Sequence, residues 1–139
     1  MAIGAKVFEF SAGIDSRGRL LAEESGEPIV PGEGWTPEDL VLAAVARCSL
    51  SSLRFYAERT GATVGGSGRA WGRVTAREDG LYAFVELSVE MDVTIEPPPS
   101  ADDLATLLRR AEDGCFVGKS LRATPTYRWR VNGVEVRPA

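Results

Sequence analysis

The sequence predicts an α+β fold, and three stretches carry that reading. From Leu81 to Ile95, apolar residues occupy alternate positions (Leu81, Ala83, Val85, Leu87, Val89, Met91, Val93, Ile95) with Glu86, Ser88, Glu90, Asp92 and Thr94 between them. That period of two marks a long strand with one buried face. Thr36 to Gly61 reads as a helix, apolar at every position from Leu40 to Ala46. Ser100 to Gly114 reads as a second helix with a single apolar stripe. Strands and helices in blocks, without strict alternation, define α+β.

In chain order, Lys6 to Ser11 alternates and predicts a first strand with Phe8 and Phe10 on one face. Asp15 to Arg19 is a turn with Gly18 at the tight position, and Leu20 to Glu23 returns as a second strand. Glu24 to Trp35 is rich in proline and glycine and predicts a loop. The helix then opens with Thr36 as cap, Pro37 in the first turn, and Glu38 and Asp39 at the positive end of its dipole. Gly61 ends it.

Gly65-Gly66-Ser67-Gly68 lacks the lysine and the setting of a phosphate loop, and predicts a flexible connection. Arg69 to Arg77 is a strand, and Asp79-Gly80 turns it into the long strand. Tyr82 and Phe84 interrupt that strand's polar face, which suggests a cover over its beginning. Pro97 to Pro99 stop it. Ser100 with Asp103 forms a capping box, and Leu104, Leu107, Leu108 and Ala111 make the buried stripe. Cys115 to Leu121 follows as a short helix. Tyr127, Trp129 and Val131 alternate in a last strand, and Asn132-Gly133 turns the tail back.

Composition narrows the chemistry. A length of 139 residues with 44% apolar and 26% charged residues suits one domain, residues 1 to 139, with its own core. A net charge of −4 argues against nucleic acid as a partner. No continuous apolar run reaches the length of a membrane span, and the first residues lack a signal peptide's apolar segment, so no membrane partner is expected. Two cysteines are too sparse for a disulfide scaffold, which favours a reducing cytoplasm.

Histidine is absent, which removes Ser-His-Asp and Cys-His catalysis and histidine-bearing zinc sites, and two cysteines make no zinc cage. No metal or organic cofactor is expected. What remains is thiol chemistry assisted by arginine and carboxylate. Cys48 shares a helical stripe with Val41, Ala44, Val45, Ser52 and Phe55. A solitary cysteine on such a face is more often a packing thiol. Arg47 and Arg54 bring positive charge that favours a thiolate, and Cys115 offers a second sulfur.

Pro37-Glu38-Asp39-Leu40 leading through an alanine-rich run to Cys48, with Cys115 after a short amphipathic helix, resembles the OsmC/Ohr family of osmotically inducible and organic hydroperoxide resistance proteins. The resemblance spans nearly the whole chain. It implies an OsmC-like fold in which antiparallel sheets wrap central cysteine helices in an intertwined homodimer. An apolar helix that one small sheet cannot cover also favours a dimer.

The resemblance further implies a cysteine peroxidase. Cys48 would attack an organic hydroperoxide, Cys115 would resolve the sulfenic acid as a disulfide, and an external dithiol would reduce it. An arginine of the first hairpin, Arg19 in preference to Arg17, would reach Cys48 and pair with Glu38. On an unbroken helix Glu38 and Cys48 lie about 15 Å apart, so such an arginine must bridge them or the helix must break. The chain departs from the family pattern at Arg47, Phe116 and Gly118, where a small residue, proline and serine are usual. The rival expectation is a non-catalytic dimer of the same fold that binds an apolar small molecule.

Overall fold

A computed structural model describes residues 2–137 of the chain. They form two compact units that meet at Pro37 and Glu38 in sequence. In the first, β1 (Ala12–Ile14) and β2 (Leu20–Ala22) pair antiparallel, with Ile14 opposite Leu20. The Asp15 carboxylate builds the turn by accepting the backbone N–H groups of Arg17 and Arg19, each at 2.9 Å. Gly18 takes the left-handed conformation at φ 77°. Leu20 forms a lone bridge to Ile29 in the loop that follows.

Lys6 to Ser11, expected as a strand, is irregular, and Phe8 and Phe10 are exposed. Alternation specifies a strand only where a neighbour accepts its ladder. Among the described residues the pairing begins at Ala12.

The second unit opens with α1 (Pro37–Glu58), followed by β3 (Thr63–Ala76) and β4 (Tyr82–Glu96). Then come α2 (Ala101–Asp113), the short α3 (Phe116–Ser120), β5 (Thr126–Val131) and β6 (Val134–Val136). The sheet runs β3-β4-β5-β6. Neighbours are antiparallel except β4 and β5, which are parallel because α2 and α3 carry the chain back across the sheet. One sheet face supplies Val89, Met91, Val93, Ile95, Trp129 and Val131 to the core. Against it lie Val45, Leu53 and Ala57 of α1 and Leu107, Leu108 and Ala111 of α2.

The glycine run is not a flexible connection; it lies within β3, opposite Thr94 to Met91 of β4. Glycine is needed there because the partner strand comes too close for a side chain. A Cβ on Gly66 would stand 2.3 Å from the Asp92 carbonyl oxygen, and one on Gly68 would stand 2.3 Å from the Met91 sulfur.

The interruption at Tyr82 and Phe84 is a bulge. Arg73 faces Glu86 while Val74 faces Phe84, so Val85 is the extra residue on β4. The shift turns Phe84 onto the face of Leu87, where both side chains crowd Gly72. Val85 is left exposed.

α1 is apolar at every position from Leu40 to Ala46. Here one face is covered, through Val45, Ser49, Ser52, Leu53 and Ala57, and Phe55 is 52% exposed. The helix as a whole is long and apolar enough to cross a membrane by length and composition, which the count of consecutive apolar residues missed. Its buried face lies against the sheet core instead.

Candidate functional site

The site forms where α1 meets the link between α2 and α3. Close approach there depends on two small groups. Ser52 Oγ donates to the Ala111 carbonyl at 2.7 Å, capping an otherwise open carbonyl in the last turn of α2. Gly114 has no side chain to hold the helices apart; a Cβ there would lie 2.8 Å from both Ser52 Oγ and the Tyr56 ring. Cys115 follows at once, as the residue that opens α3.

Cys115 is fully buried and Cys48 half-buried, and both are free thiols. The Cys48 thiol faces the Cys115 thiol and the backbone N–H groups of Phe116 and Val117. Burial is the main influence on Cys48 and pushes its pKa up; the Cys115 sulfur adds to the rise, while the two N–H groups oppose it. Arg47 and Arg54 are the cations expected to favour a thiolate at Cys48. Neither is among the main influences on that sulfur, and Arg54 Nε donates to the Val64 carbonyl at 3.3 Å.

Sequence reasoning missed the side chains around Cys115. Ser49 Oγ donates to the Val45 carbonyl at 2.8 Å, lies 3.1 Å from the Tyr127 hydroxyl, and stands 3.7 Å from Cys115 Sγ. Burial pushes the Tyr127 phenol up, and the neighbouring Cys115 adds to this against the Ser49 bond. Tyr127 stacks on Trp129 with rings 5.7 Å apart, and Trp129 Nε1 donates to Glu112 at 3.1 Å. The available signal was alternation on β5, which sends Tyr127, Trp129 and Val131 to one face; nothing local marks Ser49. Gly118 has a physical cause as well, since a Cβ there would press on Cys115 Sγ at 3.3 Å.

Glu38 is exposed in the first turn of α1, which runs unbroken past Cys48, so the helix alone keeps them about 15 Å apart. Arg19 Nε pairs with Asp15 at 2.7 Å inside the first unit, and Arg17 donates its backbone N–H to the same carboxylate. A cleft of about 370 Å³ runs along the sheet and includes neither cysteine. Its rim is an ion-pair ladder, Arg69–Glu90 at 3.0 Å, Glu90–Arg128 at 3.7 Å and Arg128–Glu135 at 2.8 Å. Exposed pairs of this kind add little stability.

A helix-borne thiol set against a second thiol in the crossover of a mixed sheet defines a narrow class. The family model of the OsmC-like proteins matches residues 30–130, and the chain belongs to that family. Among relatives, the uncharacterized protein YmaD of Bacillus subtilis (strain 168) is 24% identical over 95 residues, 66% of this chain. The match spans 63% of that relative's length. An OsmC-like protein of unknown function from Vibrio cholerae superposes with a TM-score of 0.73 at 17% identity, covering 88% of this chain and 99% of that one. The organic hydroperoxide resistance protein OhrB of Bacillus subtilis gives 0.55 at 16% identity, over 89% and 96%. At such identities these two structures establish the fold.

Proposed function

We propose that the protein is a thiol-dependent peroxidase that reduces organic hydroperoxides, with Cys48 as the attacking sulfur and Cys115 as the resolving one. The observation that carries the reading is that the half-buried Cys48 thiol interacts with the buried Cys115 thiol. The Cys48 thiolate attacks the peroxide O–O bond, giving Cys48 sulfenic acid and an alcohol. Cys115 then displaces hydroxide from Cys48, forming the disulfide and water, and an external dithiol restores both thiols. Family membership and the naming of a similar structure as a hydroperoxide resistance protein support the substrate class, as does the apolar wall of α1.

A raised thiol must be offset for this chemistry. A guanidinium from the hairpin, Arg19 or Arg17, oriented by Glu38, is the group proposed to do so. It would come from either protomer of a homodimer, and the exposed Phe55 on α1 supports such a dimer. A reducing cytoplasm would supply the dithiol.

The test is consumption of cumene hydroperoxide with dithiothreitol as reductant. Cys48→Ser is expected to abolish it, and in a single turnover without reductant Cys115→Ser is expected to leave Cys48 as sulfenic acid where the parent forms the disulfide. Full activity in Cys48→Ser would refute the reading. The raised Cys48 thiol favours a second reading, a non-catalytic dimer that binds an apolar small molecule. Titration separates them: a Cys48 that remains protonated and unreactive near neutral pH in the assembled protein supports the binder.

A further inference from the structure

Cys115 sits at the closed end of the thiol pair, with no exposed surface of its own. One hydroxyl stands beside its sulfur and a second stands beside the first. Ser49 Oγ stands 3.7 Å from Sγ and can donate to it, and the Tyr127 hydroxyl lies 3.1 Å from Ser49 and interacts with the same sulfur. The floor is shaped to admit them. A Cβ at Gly118 would come within 3.3 Å of Sγ, 3.4 Å of Pro125 Cγ and 3.6 Å of the Tyr127 hydroxyl.

In the thiol form the Ser49 proton is engaged with the Val45 carbonyl at 2.8 Å. A hydroxyl carries one proton and rotates freely, so negative charge on Sγ redirects it from carbonyl to sulfur. A buried anion without donors is expensive, and one with two O–H donors is not.

We propose that Ser49 and Tyr127 form a two-hydroxyl cradle for the Cys115 thiolate, acting as positioning residues whenever that sulfur carries charge. Two steps need it. In disulfide closure the Cys115 sulfur attacks Cys48 sulfenic acid; the S–S bond forms, the S–O bond breaks, and the thiol proton leaves with the hydroxide as water. In reduction a dithiol thiolate attacks the Cys48 sulfur, since Cys115 is covered. The S–S electron pair then passes to Cys115, and the second reductant thiol releases Cys48. The closure step rests on the peroxidase reading, whereas the reduction step requires only the disulfide.

The experiment uses the full chain with Tyr127→Phe and Ser49→Ala. In a single turnover with cumene hydroperoxide, dimedone trapping and mass spectrometry follow sulfenate and disulfide. Separately, diamide oxidises the two thiols to the disulfide, and its reduction by dithiothreitol is timed. Loss of one hydrogen bond to a charged sulfur is expected to slow reduction about tenfold or more, and closure by a similar factor relative to sulfenate formation in the same molecule. A general loosening of the fold would not slow those steps selectively. Wild-type reduction rates in both variants would overturn the cradle, as would failure of diamide to join the sulfurs in the parent protein. If the parent forms no sulfenate yet the variants slow reduction, the peroxidase reading falls and the cradle stands.

Discussion

Gly114→Ala probes how closely α1 must approach the thiol link. Gly114 has φ −86° and ψ 0°, a conformation alanine also adopts, so any cost comes from contact and not from the backbone. The added methyl would meet Ser52 Oγ and Tyr56 Cε2 at 2.8 Å and the Tyr56 hydroxyl at 3.0 Å. The half-buried Tyr56 ring can swing aside. Ser52 cannot, because its hydroxyl is held at 2.7 Å on the Ala111 carbonyl. Displacing it leaves that carbonyl open, at about 1–3 kcal/mol, and the overpacking costs about as much again. With partial relaxation we expect a loss of about 2–4 kcal/mol, read as a lower urea midpoint at unchanged m-value. Ser52→Ala should relieve part of the clash, so the double variant is expected to be more stable than additivity predicts, by about 1 kcal/mol. A cost of Gly114→Ala below about 0.5 kcal/mol, or strict additivity, would refute this account of the contact.

Three further outcomes are expected. Burial pushes the Glu112 carboxyl above its usual value of 4.5 despite the bond from Trp129, so the folded chain holds a proton the unfolded chain has shed just above that pH. Stability therefore falls as pH rises from the ordinary glutamate range through the raised value, and Glu112→Gln should flatten that slope in denaturation series run at stepped pH. Gly66→Ala combines φ 135° with a 2.3 Å approach to the Asp92 carbonyl and should cost about 3 kcal/mol or more. Gly61→Ala, at φ 83° with open space around it, should cost about 1–2 kcal/mol in the same thermal melts; equal costs would deny the strand contact. Ser100→Ala removes the acceptor for the Asp103 N–H at 3.2 Å and should cost about 1 kcal/mol in urea unfolding.

What could be read from the sequence was whatever depends on near neighbours. Alternation along β4 from Leu87 to Ile95, the N-cap at Ser100 and the stripe Leu104, Leu107, Leu108, Ala111 each depend on local spacing, and each stands as expected. The errors arise where a distant strand decides. Gly66 and Gly68 look like a linker until β4 is laid beside them, and Val85 looks like an inward residue until the bulge shifts its register. Phe8 and Phe10 alternate correctly, but their segment has no ladder among the described residues. At the site, Cys48 and Cys115 could be singled out from the sequence. Ser49 and Tyr127 could not, because a serine inside a helix and a tyrosine on a strand carry no mark of the sulfur they meet. Arg47 and Arg54 stand out in the sequence for the converse reason. Nearness along a helix says little about which face a guanidinium serves.

The parallel pairing of β4 with β5 has a bearing on how the chain matures. Antiparallel partners can zip from a tight turn, but a parallel pair must wait for its whole crossover, and here that crossover contains Cys115. The Tyr127 hydroxyl reaches the buried sulfur only after β5 has docked. A ribosome-bound chain that has not yet emitted β5 therefore carries two thiols without their finished surroundings, and the setting of Cys115 is among the last parts of the molecule to be completed.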